Sequence, residues 1–226
     1  MQVTPLQLTR DFDFTCYNGL APLPLGDLID EVHTPGKLQT IKNIGTLSPD
    51  LQELIYTLKE KSLNSTKVEF QEVLALACLN DAGGLEYTST TSHSYNHVNG
   101  TDLYRLLTTH PVLDQIDEGL IPDELIHIHS HPSAEFRPPD RQHNHVLVST
   151  QDMTAYQNIA NFLSHYTGES ISVRGIVAPV GANCGEVVSE MIVSPRPQNE
   201  RNTQWTRRAE ELRSFRQAQR DFIFNR

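Results

Sequence analysis

The run Leu125-Ile-His-Ile-His-Ser-His-Pro132, followed at a distance by Ser149-Thr-Gln-Asp152, constrains this chain more than any other stretch. The first piece reads as an apolar strand interleaved with histidines, the second as a helix start. In an extended strand residues i and i+2 share a face, so His129 and His131 both reach one ion. Ser149 and Asp152 lie three apart where an apolar-periodic run begins with Met153, Tyr156, Ile159 and Leu163, so on a helix they share a face. A strand pair and a helix pair can then converge on one point. Catalytic zinc takes three protein nitrogen or oxygen ligands and keeps a fourth position for water, which two histidines and an aspartate satisfy.

Each piece alone has an ordinary explanation. The chain has ten histidines, and other H-x-H pairs occur at His127/His129 and His143/His145. Ser-x-x-Asp is also the pattern of a capping box, in which the serine caps the helix and the acid returns the hydrogen bond. The two motifs in this order, one on an apolar strand and the other at a helix start, carry more weight than either does separately.

In that combination the chain resembles the JAMM (MPN-plus) metalloproteases, whose signature is a glutamate, then His-x-His-Pro, then Ser-x-x-Asp. His129, His131, Pro132, Ser149 and Asp152 match it, and Leu147 to Gln157 is similar to the family's serine-aspartate helix. The resemblance covers roughly residues 36 to 195. Two departures stand out: the stretch between His131 and Ser149 is longer than usual, implying an insertion at about 133–146 rich in proline and charge, and Ile126-His127-Ile128 replaces a common glycine-aromatic-aromatic sequence.

The resemblance implies an α/β sandwich of the JAMM/MPN (cytidine-deaminase-like) type, with a mixed central sheet flanked by helices. It implies Zn2+ held by His129, His131 and Asp152. A general base is also required, since amide cleavage needs a group to take the proton of water and pass it to the leaving amine. In the family this is a glutamate opening the strand after the first helix, a place that Glu72-Val-Leu-Ala-Leu-Ala-Cys-Leu79 fits. Glu72 is the choice, Glu69 the nearest rival, and a solvent-facing acid at the strand entry the ordinary alternative. Ser149 is expected to help hold the tetrahedral oxyanion. The expected activity is that of an isopeptidase acting on the carboxy-terminal tail of ubiquitin or a ubiquitin-like protein, with a bacterial ubiquitin-like conjugation or defence pathway as one setting. The rivals are a noncatalytic scaffold subunit of the same fold, a JAMM peptidase acting on another kind of protein, and a small-molecule zinc hydrolase. The last lacks its expected Pro-Cys-x-x-Cys.

Among the other histidines, His127 shares the ligand face and is expected to be a core histidine with one backbone partner. His143 and His145, with Cys184 or His165, could form a second zinc site. His33, His93, His97 and His110 read as surface or loop residues.

The chain of 226 residues suffices for one sizeable core. It holds no apolar run long enough for a membrane span and no signal-like start, and its three cysteines show no C-x-x-C spacing, so a cytoplasmic location is expected. A net charge of -10 disfavours nonspecific nucleic-acid binding. The charge is uneven: residues 195–226 carry eight arginines and four acids, a net +4 that leaves -14 for the remainder.

Three parts are expected: an extended arm over 1–35, the metalloprotease-like domain over 36–195, and a basic helix over 196–226. Within them the pattern predicts a strand at 39–44, a helix from Pro49 bearing Leu51, Leu54, Ile55 and Leu58, and a hairpin of 72–79 with 84–91. It further predicts a helix from Thr101, the ligand strand 125–131, the ligand helix 149–166 ending near Gly168, and strands at 170–178 and 186–193. Trp205, Ala209, Leu212 and Phe215 sit at helical spacing, so the terminal helix is expected to dock on its own domain, on a second copy or on a partner.

Overall fold

The computed structural model describes residues 31–34, 37–64, 72–80, 83–91, 100–132, 147–181, 186–201 and 203–224. The arm up to residue 30, the insertion at 133–146 with His143 and His145, Cys184, Glu69, His93 and His97 lie outside the described residues.

Seven strands form one sheet: β1 (Glu31–Thr34), β2 (Lys37–Asn43), β3 (Val73–Leu79), β4 (Leu85–Thr91), β5 (Glu124–Pro132), β6 (Ser172–Val180) and β7 (Val187–Val193). Their order is β1-β2-β7-β6-β5-β3-β4. Only β5 and β6 run parallel, and the other neighbours are antiparallel, so the sheet is mixed and the class is α/β. A parallel pair needs a crossover, and this one contains α4 (Thr150–Thr167). The end of the expected arm is not merely extended: Glu31–Thr34 pairs with Lys37–Thr40 as a hairpin ladder.

Alternation along the strands divides the interior in two. Val73, Ala75, Ala77, Ile126, Ile128, Ile176 and Val188 pack against α1 (Pro49–Asn64), which buries Leu51, Leu54, Ile55 and Leu58. Leu74, Leu76 and Cys78 face the other layer, made by α2 (Gly100–Thr109), α3 (Val112–Asp117), α4 and α5 (Thr203–Phe224). Helices thus cover both faces, which is why β3 is apolar throughout and β5 is buried from Leu125 to His131. No described helix is long and apolar enough to cross a membrane.

The helix α3 has no counterpart in the sequence reading. Pro111 stops α2 and stands as the N-cap residue of α3, whose Val112, Leu113 and Ile116 are buried. The joint also corrects the reading of His110 as a surface residue. It is 2% exposed, its Nε2 donates to the Leu76 carbonyl at 3.0 Å, and its Nδ1 accepts from the Val112 amide at 2.9 Å. Burial lowers its pKa to about 4, so the ring is neutral.

On α5, Trp205 and Ala209 are buried and Leu212 packs against the same core, on this chain's own α4 layer. Phe215, expected on that stripe, is 58% exposed. Beyond Leu212 the inner side of the helix is polar: Arg216 and Arg220 bind Asp117, and Arg216 also binds Asp114.

Candidate metal centre

The site forms where β5 ends and α4 begins, at the carboxyl edge of the parallel pair. His129 stands opposite Leu74 in the β3–β5 ladder, so His127, His129 and His131 all face the α4 layer, while Ile126 and Ile128 face α1. The strand continues to Pro132, which keeps His131 in register with its neighbour.

α4 starts with a complete capping box. The Asp152 amide donates to Ser149 Oγ at 3.2 Å, and the Ser149 amide donates to Asp152 Oδ2 at 2.7 Å. This fixes the carboxylate over the helix end rather than leaving it free to rotate. Its oxygens also reach the strand: Asp152 Oδ1 lies 3.1 Å from His129 Nε2, and Oδ2 lies 3.4 Å from His131 Nε2. The two Nε2 atoms are 2.8 Å apart.

One donor atom from each of His129, His131 and Asp152 falls within 4.8 Å of the others, and both imidazoles are buried. Two imidazole nitrogens and a carboxylate oxygen suit a divalent transition ion, so the group can hold a metal ion. It is the one such group of three or more ligating side chains among the described residues. Burial opposes ionisation of Asp152, but the adjacent His129 and His131 outweigh it and hold the carboxyl well below its ordinary range. A carboxylate must be deprotonated to hold a metal ion, and this shift favours that form.

Glu72 immediately precedes β3 and is 3% exposed, which excludes the solvent-facing reading of this residue. Continuing the antiparallel register from Leu74 and His129 puts Glu72 opposite His131, on the same face. The charge of Glu72 also reaches the phenol of Tyr156 on α4: burial first, then Asp152 and Glu72, hold that phenol protonated well above its usual range.

His127 departs from expectation. It is fully buried, and neither ring nitrogen makes a well-formed hydrogen bond to another described residue; the expected backbone contact is reduced to a weak one with its own main chain. Its ring lies 4.9 Å from that of Tyr156 and 5.4 Å from that of His129. Burial, with His129 beside it, lowers its pKa to about 3. His165, offered for a second zinc site, instead contacts Glu210 of α5 at 2.9 Å.

Two supporting residues escaped the sequence reading. Ser130, the spacer between the ligand histidines, is buried and accepts the Val73 amide on its Oγ at 2.8 Å, tying down the residue next to Glu72. Gln39 on β2 grips the peptide just before the cap: its Nε2 donates to the Val148 carbonyl at 3.0 Å, and its Oε1 accepts from the Val148 amide at 2.9 Å. Ser130 lies inside the motif, but its tie to Val73, 57 residues away, is not visible there. Nothing local marks Gln39, 109 residues from its partner.

No family model matches the chain, and no curated protein matches it.

Proposed function

We propose that this chain is a zinc-dependent peptidase of the JAMM type, an isopeptidase that cuts at the carboxy-terminal tail of ubiquitin or a ubiquitin-like protein. The observation that carries the reading is the convergence of His129, His131 and Asp152 within 4.8 Å, with the buried carboxylate of Glu72 on the same face of the sheet. The order of these residues along the chain and their placement at a strand end, at a helix start and just before a neighbouring strand support the family resemblance.

His129 Nε2, His131 Nε2 and one oxygen of Asp152 would hold the zinc. When bound there, zinc supplies Lewis acidity, easing the ionisation of water and polarising a carbonyl. Glu72 takes the proton of the attacking water and returns it to the amine that leaves. That cycle uses one carboxylate as base and then as acid, and the β3–β5 register, continued two residues beyond Leu74 and His129, would set Glu72 across from His131. The oxygen of Ser149 already accepts from the Asp152 amide, which leaves its O–H available to donate to the developing oxyanion. Capping and catalysis thus use different parts of one hydroxyl. The same three donors would serve a JAMM peptidase with another protein substrate, whereas a noncatalytic scaffold has no use for a buried base beside them.

The test is cleavage of a ubiquitin-like protein fused through its carboxy-terminal glycine to a reporter, with and without chelator, for wild type and Glu72→Gln. Chelator-sensitive cleavage that is lost in the variant supports the reading. Metal-loaded wild type inert towards the fusion would refute the isopeptidase assignment.

A further inference from the structure

A histidine binds metal through one nitrogen only if its other nitrogen carries the proton, and the partner of that second nitrogen decides which tautomer is favoured. In His129, Nε2 is the atom grouped with His131 and Asp152, so Nδ1 must carry the proton in the metal-bound ring. The Tyr156 hydroxyl lies 3.4 Å from that Nδ1.

The position of this hydroxyl is over-determined. Tyr156 is four residues after Asp152 on α4, so both side chains leave the same face of the helix. The residue is fully buried, and its ring is bounded by the ring of His127 at 4.9 Å. Behind it, β6 carries Gly175, opposite His127 in the parallel ladder. A Cβ at Gly175 would stand 1.9 Å from Tyr156 Cε2 and 2.3 Å from Cζ. The ring therefore occupies space that exists because residue 175 has no side chain.

We infer that Tyr156 is a positioning residue of the metal centre: its hydroxyl, seated over Gly175, accepts the Nδ1–H of His129 and so presents Nε2 to the ion. A phenol suits this task because its oxygen both donates and accepts. In the metal-free protein it can donate to Nδ1 while Nε2–H faces Asp152, and in the metal-bound protein it accepts from Nδ1–H. His129 changes tautomer and keeps its orientation. A carboxylate in the same place could serve only the second state. The inference rests on the metal reading of the trio.

The experiment is titration of chelator-treated full-length wild type and Tyr156→Phe with Co2+ and Zn2+, with imidazole nitrogen NMR of both proteins. Phenylalanine keeps the ring and removes only the oxygen. The expected result is a stoichiometric wild-type complex, a loss of about 10- to 100-fold in metal affinity in the variant, and an altered Co2+ absorption spectrum. In the wild type, the His129 proton is expected on Nδ1 when zinc is bound. Equal affinity and spectra in the two proteins would overturn the inference, as would wild-type zinc bound through Nδ1 of His129. That last measurement needs no variant, so it stands even if the substituted protein fails to fold. A wild type that binds neither ion would refute the metal reading itself, a result distinct from unaltered binding in Tyr156→Phe.

Discussion

At the scale of single residues, Asp152 joins the fold to the candidate site: one carboxylate closes the capping box of α4 and faces two imidazoles. Replacing Asp152 with Asn removes the charge that suits both jobs, and is expected to lower zinc affinity and the melting temperature together in paired titration and thermal scans. Ser149→Ala separates the jobs differently. Loss of the cap costs about 1 kcal/mol of stability, and loss of an oxyanion donor costs about 100-fold or more in kcat. A variant that melts lower while turning over at the wild-type rate would confine Ser149 to capping. Glu72→Gln keeps size and burial but cannot shuttle a proton, so zinc content by mass spectrometry should be unchanged while turnover falls by about 100-fold or more. The grouping of His129, His131 and Asp152 was legible in the sequence because strand and helix periodicity decide which side chains share a face. Gln39, Ser130 and Gly175 were not, because their roles depend on neighbours brought near only by the sheet.

At the scale of elements, the sequence announced the helices whose apolar residues recur every turn and the strands bounded by turn residues. It missed α3, six residues long, and β1, whose four residues pair, among the described residues, only with the adjacent β2. It overextended the apolar stripe of α5, since spacing cannot tell a core-facing Phe215 from an exposed one once arginines take over the inner side. His110 shows what the joint between α2 and α3 requires. Both ring nitrogens are used by backbone groups, and the ring is held neutral by a pKa lowered from 6.5 to about 4. The unfolded chain therefore binds a proton that the folded protein refuses between those pH values, so this residue's contribution to stability is present above pH 6.5 and declines as pH falls towards 4. The slope from one such group reaches at most about 1.4 kcal/mol per pH unit. Urea melts of wild type and His110→Gln across this window should show a shallower acid-side decline in the variant, and parallel curves would contradict the account.

At the scale of the whole molecule, the uneven charge seen in the sequence has a structural use. Arginines of the basic terminal segment reach back to Asp114 and Asp117, and Tyr166 of α4 donates to Asp117 at 2.8 Å. Apolar contact fastens the other end of α5, where Trp205 meets Tyr104 and Phe162 edge-on, and Arg208 lies 4.9 Å over Tyr104. Trp205→Ala should cost about 3–5 kcal/mol in chemical denaturation; a loss under about 1 kcal/mol would mean that α5 is a peripheral addition. The helix packs on the α4 layer, whose opposite end carries Asp152, so α5 and the His129–His131–Asp152 group lie on the same face of a sheet whose strands come from distant parts of the chain. The most direct test of the central claim is the zinc stoichiometry of purified full-length protein and of the His129→Ala/His131→Ala variant, after equilibration with excess Zn2+ and desalting. One zinc per wild-type chain and none in the variant is the expected result. A wild type without zinc, or a variant that retains it, would contradict a metal centre built from these residues.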